Sequence, residues 1–304
     1  MRLSVMVLAF VFLCAAVIGT AAPPVQDEDD VRGAFLTSRP KEKKPASSGA
    51  AARPSRRRPK STAVPTAKPS EKSSSNTPVT SGPGSAPSTS LKPVNTPRMG
   101  LGLTLFMRDS NGLAVRTDPD RVFRSGDRVR VLLETNADGY LYIFNTTNDG
   151  PPVMIYPDAQ LDEGGNYIQA HVPFEIPSSQ AAEERLRWFA FDEAGGTERV
   201  FFVFTREPLN GIPIEDELIA LCRDSKESCP VRPESELWAG INKEMQEPLK
   251  RDKTEKFGNA ETDAEQQATT RGFGLAENDP QPSLVMMASS PRSTLVATLD
   301  LIHK

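Results

Sequence analysis

The chain has 304 residues, with 36 Lys/Arg against 40 Asp/Glu and a formal net charge of −4. Three cysteines and two histidines far apart in sequence, His171 and His303, exclude the clustered ligands of a zinc site. The near-neutral total hides a division: residues 39–98 hold 13 Lys/Arg against 2 Glu, whereas residues 99–304 hold 34 Asp/Glu against 21 Lys/Arg.

At the amino end, Met1-Arg2 supplies a positive charge, Leu3 to Ile18 is uncharged and apolar, and Gly19-Thr20-Ala21-Ala22 supplies small residues before the acidic stretch Asp27 to Asp30. This is the layout of a secretory leader over residues 1–21, with cleavage expected after Ala21 because cleavage after Ala22 leaves Pro23 leading the chain. An uncleaved membrane anchor is the competing reading, since Leu3 to Ala22 is about the ~20 residues that span a bilayer. Bulky Leu13 before Cys14 argues against a lipoprotein signal.

Residues 22–98 read as a disordered linker. Within them, residues 39–98 carry 11 Pro and 12 Ser, no aromatic residue, and four of the Val/Leu/Ile/Phe set. Such a stretch cannot bury enough apolar area to offset its conformational entropy, and its prolines stiffen it toward polyproline II. Lys43, Lys44, Arg56, Arg57, Arg58 and Lys60 make it a candidate tether to anionic cell-wall polymer or an anionic envelope surface. The plainer alternative is a charged spacer. Nucleic acid is not expected, because no aromatic residue is interleaved for base stacking.

Residues 99–210 hold 14 of the chain's 20 aromatic residues and form the candidate core domain. Strands are predicted at Leu101–Met107, Val122–Phe123, Arg128–Thr135, from Tyr140, and at Val153–Tyr156, Tyr167–Val172, Leu186–Phe191 and Val200–Thr205, with turn residues between them. Val129, Val131 and Leu133 share one face of a half-buried strand, and Asn136 to Gly139 predicts a hairpin into the next. Tyr140, Tyr142 and Phe144 fall on one strand face and Leu141 and Ile143 on the other. The aromatic row is expected to line the inside of a sandwich, with the aliphatics under loops or helices. An exposed platform for carbohydrate or peptide is the alternative. The fold class is mainly β, an antiparallel sandwich or barrel-like module with a few peripheral helices.

Phe123 with Gly126-Asp127, then Asp138-Gly139-Tyr140-Leu141-Tyr142, Tyr156-Pro157, Gly164-Gly165-Asn166 and Gly195-Gly196-Thr197-Glu198, resemble the bacterial domain-of-unknown-function family 4384 over about residues 101–209. The resemblance implies a non-catalytic module, often joined to other domains, with no active residues to carry over. With the leader, the expected location is export to the bacterial periplasm or cell envelope, with an unknown protein partner met through the β-domain.

Beyond the core, residues 211–251 are predicted to be a helical extension, with helices at Asp216–Cys222 and Glu234–Met245, the second capped by Ser235. Cys222 and Cys229 are expected to pair as a disulfide in an oxidising compartment. Residues 252–283 read as a disordered insertion. Residues 284–304 read as strands, the last of which, Thr294 to Ile302, returns to cover an edge of the sheet.

No catalytic residue, metal or cofactor is expected. The chain has no Gly-x-Ser-x-Gly elbow and no phosphate-cradling glycine loop. The paired acids Asp118/Asp120, Asp162/Glu163 and Glu183/Glu184 keep a hydrolase in view, though loop carboxylates on an acidic body are ordinarily solvated surface. Asp158 and Asp162 lack the spacing of a calcium loop.

Overall fold

The computed structural model describes residues 30–41, 97–159, 165–223, 229 and 231–304. The leader, the basic positions Lys43, Lys44, Arg56, Arg57, Arg58 and Lys60, and the acids Asp162 and Glu163 lie outside the described residues.

Among the described residues thirteen strands form two facing sheets. The first runs β11 (Leu249–Lys253), β12 (Leu284–Ala288), β1 (Gly100–Arg108), β4 (Arg128–Thr135) and β8 (Phe174–Ile176), with β2 (Ala114–Arg116) also on β1 and β9 (Phe189–Ala190) also on β4. The second runs β3 (Val122–Phe123), β13 (Thr294–His303), β10 (Gly196–Thr205), β5 (Gly139–Thr147) and β6 (Val153–Tyr156), with β7 (Tyr167–Ile168) also on β5. Neither closes on itself, so the module is a sandwich rather than a barrel. Leu101, Leu103 and Leu105 of β1, the valines of β4, and Leu141 and Ile143 of β5 meet Phe202, Phe204 and the inward residues of β13 in one core between the sheets. Alternation of side chains along each strand produces that seam.

One strand expectation changes and another holds. The hairpin predicted at Asn136–Gly139 is not made: β4 pairs with β1 and β8, whereas β5 pairs with β10. Neither Asp138 nor Gly139 takes the positive φ of a two-residue hairpin turn. Instead the segment is a corner between sheets. Asn136 accepts from the Gly100 N–H at 2.7 Å and donates to the Arg98 carbonyl at 2.9 Å. Asp138 accepts from the Ala170 N–H at 2.8 Å. A Cβ on Gly139 would lie 2.4 Å from the Thr205 carbonyl oxygen, so the glycine serves close approach of β5 to β10. The final strand does return. It pairs over its whole length with β10, from Gly196↔His303 to Thr205↔Thr294.

Helices cover both outer faces. On the second sheet lie α2 (Glu215–Cys222) and α3 (Ser235–Met245), helices where the apolar spacing predicted helices. The cap of α3 is Glu234 rather than Ser235, and it makes no side-chain cap bond. On the first sheet lies α1 (Val31–Leu36), within the stretch expected to be linker; its Val31, Phe35 and Leu36 bury Val285 and Met287 of β12.

Residues 252–283 depart furthest from expectation. They continue β11, form α4 (Asp263–Arg271), and close over the first sheet. Helix α4 starts with a reciprocal capping box between Thr262 and Glu265 and stops at Gly272, whose φ is 67°. The segment docks through buried ion pairs as well as the buried Ala268, Leu275 and Ala276, which its polar composition alone does not reveal.

Candidate functional site

Tyr140, Tyr142 and Phe144 share a face, but the wrong one for a platform. They point away from the inter-sheet core and lie buried beneath α2 and α3. Trp238 of α3 meets Phe144 and Phe201 edge-on, at centroid separations of 5.7 and 4.8 Å. The Tyr142 hydroxyl accepts from the Leu209 N–H at 2.9 Å, and burial pushes its pKa up, keeping the phenol protonated. The reading of an exposed aromatic binding face is therefore corrected, as is the expected placement of this row inside the sandwich. Cys222 and Cys229 form the expected disulfide beside this layer.

The outer face of the first sheet gathers charged groups that sequence reading left scattered. Strand β4 is buried on both faces rather than half-buried: Arg130 and Glu134 are 5% and 3% exposed. Arg39, just past α1, grips Glu134 with two bonds, Nε to Oε1 at 2.8 Å and Nη2 to Oε2 at 2.6 Å. Its remaining N–H groups donate to the carbonyls of Ala276, Asp279 and Pro280 at 3.2, 3.1 and 3.0 Å.

His171 was expected on a strand with a polar or solvent-facing role. It sits buried in the loop before β8 at a φ of 58°, with Nδ1 2.8 Å from Glu134 Oε1 and Nε2 2.9 Å from Ser38 Oγ. An ionised carboxylate only accepts, so Nδ1 carries the proton. The Ser38 hydroxyl lies 2.6 Å from the Phe35 carbonyl as well, and it has one proton to share between the two acceptors. Residues 38, 134 and 171 give no local motif, and the backbone turn after α1 is what brings them together.

A second cluster sits beside the first. The Arg130 guanidinium serves two carboxylates, with Nη2 3.0 Å from Glu261 and Nε 3.2 Å from Glu175, and it also lies 4.5 Å over the Trp188 ring. One buried cation between two buried acids leaves an excess of negative charge. Burial, followed by the charge of Glu175, raises the pKa of Glu261 from its ordinary 4.5 to about 8. Glu261 therefore holds a proton at neutral pH. Arg116 pairs with Glu265 of α4 and donates to the Gln281 carbonyl at 2.9 Å, completing the attachment of residues 249–282.

Between the sheets, beside β9, lies a cavity of about 190 Å³. Aliphatic and aromatic side chains of β4, β5, β8 and β10 line it, and its polar members are Asn145 and Glu198. Phe189 and Ala190 also line it and are themselves exposed, so the cavity reaches the surface at β9. Asn145 Nδ2 donates to Glu198 Oε2 at 2.6 Å, which fixes the amide orientation and leaves buried Oδ1 without a donor. Nothing in the local sequence marked this space.

The paired loop acids are held by cations. Asp118 and Asp120 share Lys253, Glu183 pairs with Arg185, and Glu184 with Arg108. Among the described residues no group of three or more His, Cys, Asp and Glu side chains could hold a metal ion. No described helix is long and apolar enough to cross a membrane.

Residues 122–208 match the family model described as Domain of unknown function (DUF4384). The matched segment spans β3 to β10, within the stretch where the resemblance was drawn. It is incomplete as a sandwich without the flanking strands, since β4 needs β1 and β10 needs β13. No curated protein and no solved structure matches the chain.

Proposed function

We propose that this chain is an exported, non-catalytic interaction module of the bacterial cell envelope. The observation that carries the reading is the Cys222–Cys229 disulfide in a chain that opens with a leader-like sequence, because such bonds persist in oxidising compartments and are rare in the cytosol. The charge division supports it: a segment with 13 Lys/Arg against 2 Glu accompanies an acidic body. Both ends of that segment meet the same body, at Arg39 through Glu134 and at Arg98 through Asn136. The basic stretch is thus held at two points rather than strung between leader and body. Its cations suit anionic polymer or lipid head groups by charge.

The test is fractionation of expressing bacteria, followed by mass spectrometry after alkylation without reduction. The reading predicts envelope localisation, a chain lacking residues 1–21, and unmodified Cys222 and Cys229. A cytosolic chain with both thiols alkylated would contradict it.

The Ser38–His171–Glu134 order favours a second, catalytic reading, since a hydroxyl, imidazole and carboxylate in sequence can activate a serine nucleophile. Sharing Glu134 with Arg39 weakens its hold on an imidazolium, so the relay serves better as a clamp on the α1 segment. Incubation with a fluorophosphonate separates the two: covalent labelling of Ser38, lost in His171→Ala, would establish the catalytic reading.

A further inference from the structure

The inter-sheet cavity has a size, a polarity and an entrance, and together they specify a ligand. An apolar cavity of about 150 Å³ accepts a benzene ring. The 190 Å³ here has room for one ring and a short arm. Its walls are apolar along Val129, Ile143, Ile155 and Ile176, and such walls give water few partners.

The polar end is one-sided. Asn145 Oδ1 is buried and accepts nothing. The Glu198 carboxylate takes its bonds on Oε2, from Asn145 at 2.6 Å and from Thr147 Oγ1 at 2.8 Å. Its Oε1 faces only His303 Nε2, at the loose distance of 3.6 Å, and neither ring nitrogen of that buried histidine has a hydrogen-bond partner. Among the described residues no lysine or arginine pairs with Glu198. What the site presents is therefore acceptors and negative charge at the end of an apolar slot. A carboxylate or phosphate ligand is repelled there, and a pure hydrocarbon leaves Asn145 unsatisfied. A positively charged donor answers both needs.

We propose that this cavity binds a small arylalkylamine, with its ring between β4 and β5 and its ammonium at Asn145 and Glu198, entering past Phe189 and Ala190 of β9. The short β9, two residues long and paired to β4 through Arg128↔Ala190 and Val129↔Phe189, forms the exposed part of the wall. This assignment stands whether or not the basic segment binds a surface.

The test uses the full chain with ¹³C-labelled isoleucine and valine methyls, titrated with phenethylamine, ethylbenzene and 3-phenylpropanoate. Phenethylamine is expected to shift the methyls of Ile143, Ile155 and Ile176 saturably, ethylbenzene to bind about tenfold more weakly, as loss of a charge-assisted bond implies, and the acid to bind more weakly still. Glu198→Gln should bring phenethylamine to within about twofold of ethylbenzene. Ala190→Phe, at an exposed position, should block all three while leaving the Val203 and Val285 methyls unmoved. Three results would overturn the proposal: no shift of the cavity methyls by phenethylamine, equal binding of amine and hydrocarbon, or unchanged amine binding in folded Ala190→Phe protein.

Discussion

Arg39 directs its five N–H groups at two carboxylate oxygens and three backbone carbonyls, so its buried charge is fully answered. Removing it takes both guanidinium bonds from the buried Glu134, which keeps the His171 Nδ1–H at 2.8 Å. Arg39→Ala is expected to cost about 3–5 kcal/mol, the usual scale for breaking a buried pair from one side, as read by urea denaturation. Arg39→Lys should recover little of that, because an ammonium cannot reproduce the planar fork. Glu261 makes a prediction of opposite character. Its pKa is raised from 4.5 to about 8, so between those values the folded chain holds a proton that the unfolded chain has released. Its contribution to stability is complete below pH 4.5 and is lost as pH rises to about 8, at up to ~1.4 kcal/mol per pH unit. Glu261→Gln should flatten that slope. A variant retaining the full slope would show that Glu261 is not its source.

The helical layers show how far strand pattern goes. Period-2 alternation correctly sorts Tyr140, Tyr142 and Phe144 from Leu141 and Ile143. It does not say which face meets the opposite sheet, because that depends on α2 and α3, more than seventy residues later in the chain. The disulfide was legible from export and close cysteines; its place over the aromatic layer was not. Closing so short a loop stabilises by about 2.5 kcal/mol in the chain-entropy picture. Cys222→Ser combined with Cys229→Ser should lose a comparable amount and loosen the α2 end, seen as faster amide exchange there than in β10. The docking of α1 and α4 was illegible for a different reason. Apolar content is a sound guide to burial only where burial is apolar. Here Glu134, Glu261 and Glu265 meet arginines 95, 131 and 149 residues away in sequence. At α1, Phe35 shares the apolar part of that docking, and Phe35→Ala should cost about 3–5 kcal/mol if the helix is held as described.

The whole molecule sets a basic stretch between two attachment points on an acidic sandwich. The matched segment, residues 122–208, lacks the partners of β4 and β10, so the flanking chain completes the fold as well as bearing the charge. Those cations are proposed to engage an anionic envelope surface. Co-sedimentation of the mature protein with purified cell-wall sacculi tests it most directly, at low and at moderate salt. A variant with Lys43, Lys44, Arg56, Arg57, Arg58 and Lys60 all changed to Gln goes alongside. The native protein is expected to pellet at low salt and to be released as salt screens the charges, while the variant stays in solution. Equal pelleting of the two proteins, or none by either, would contradict it.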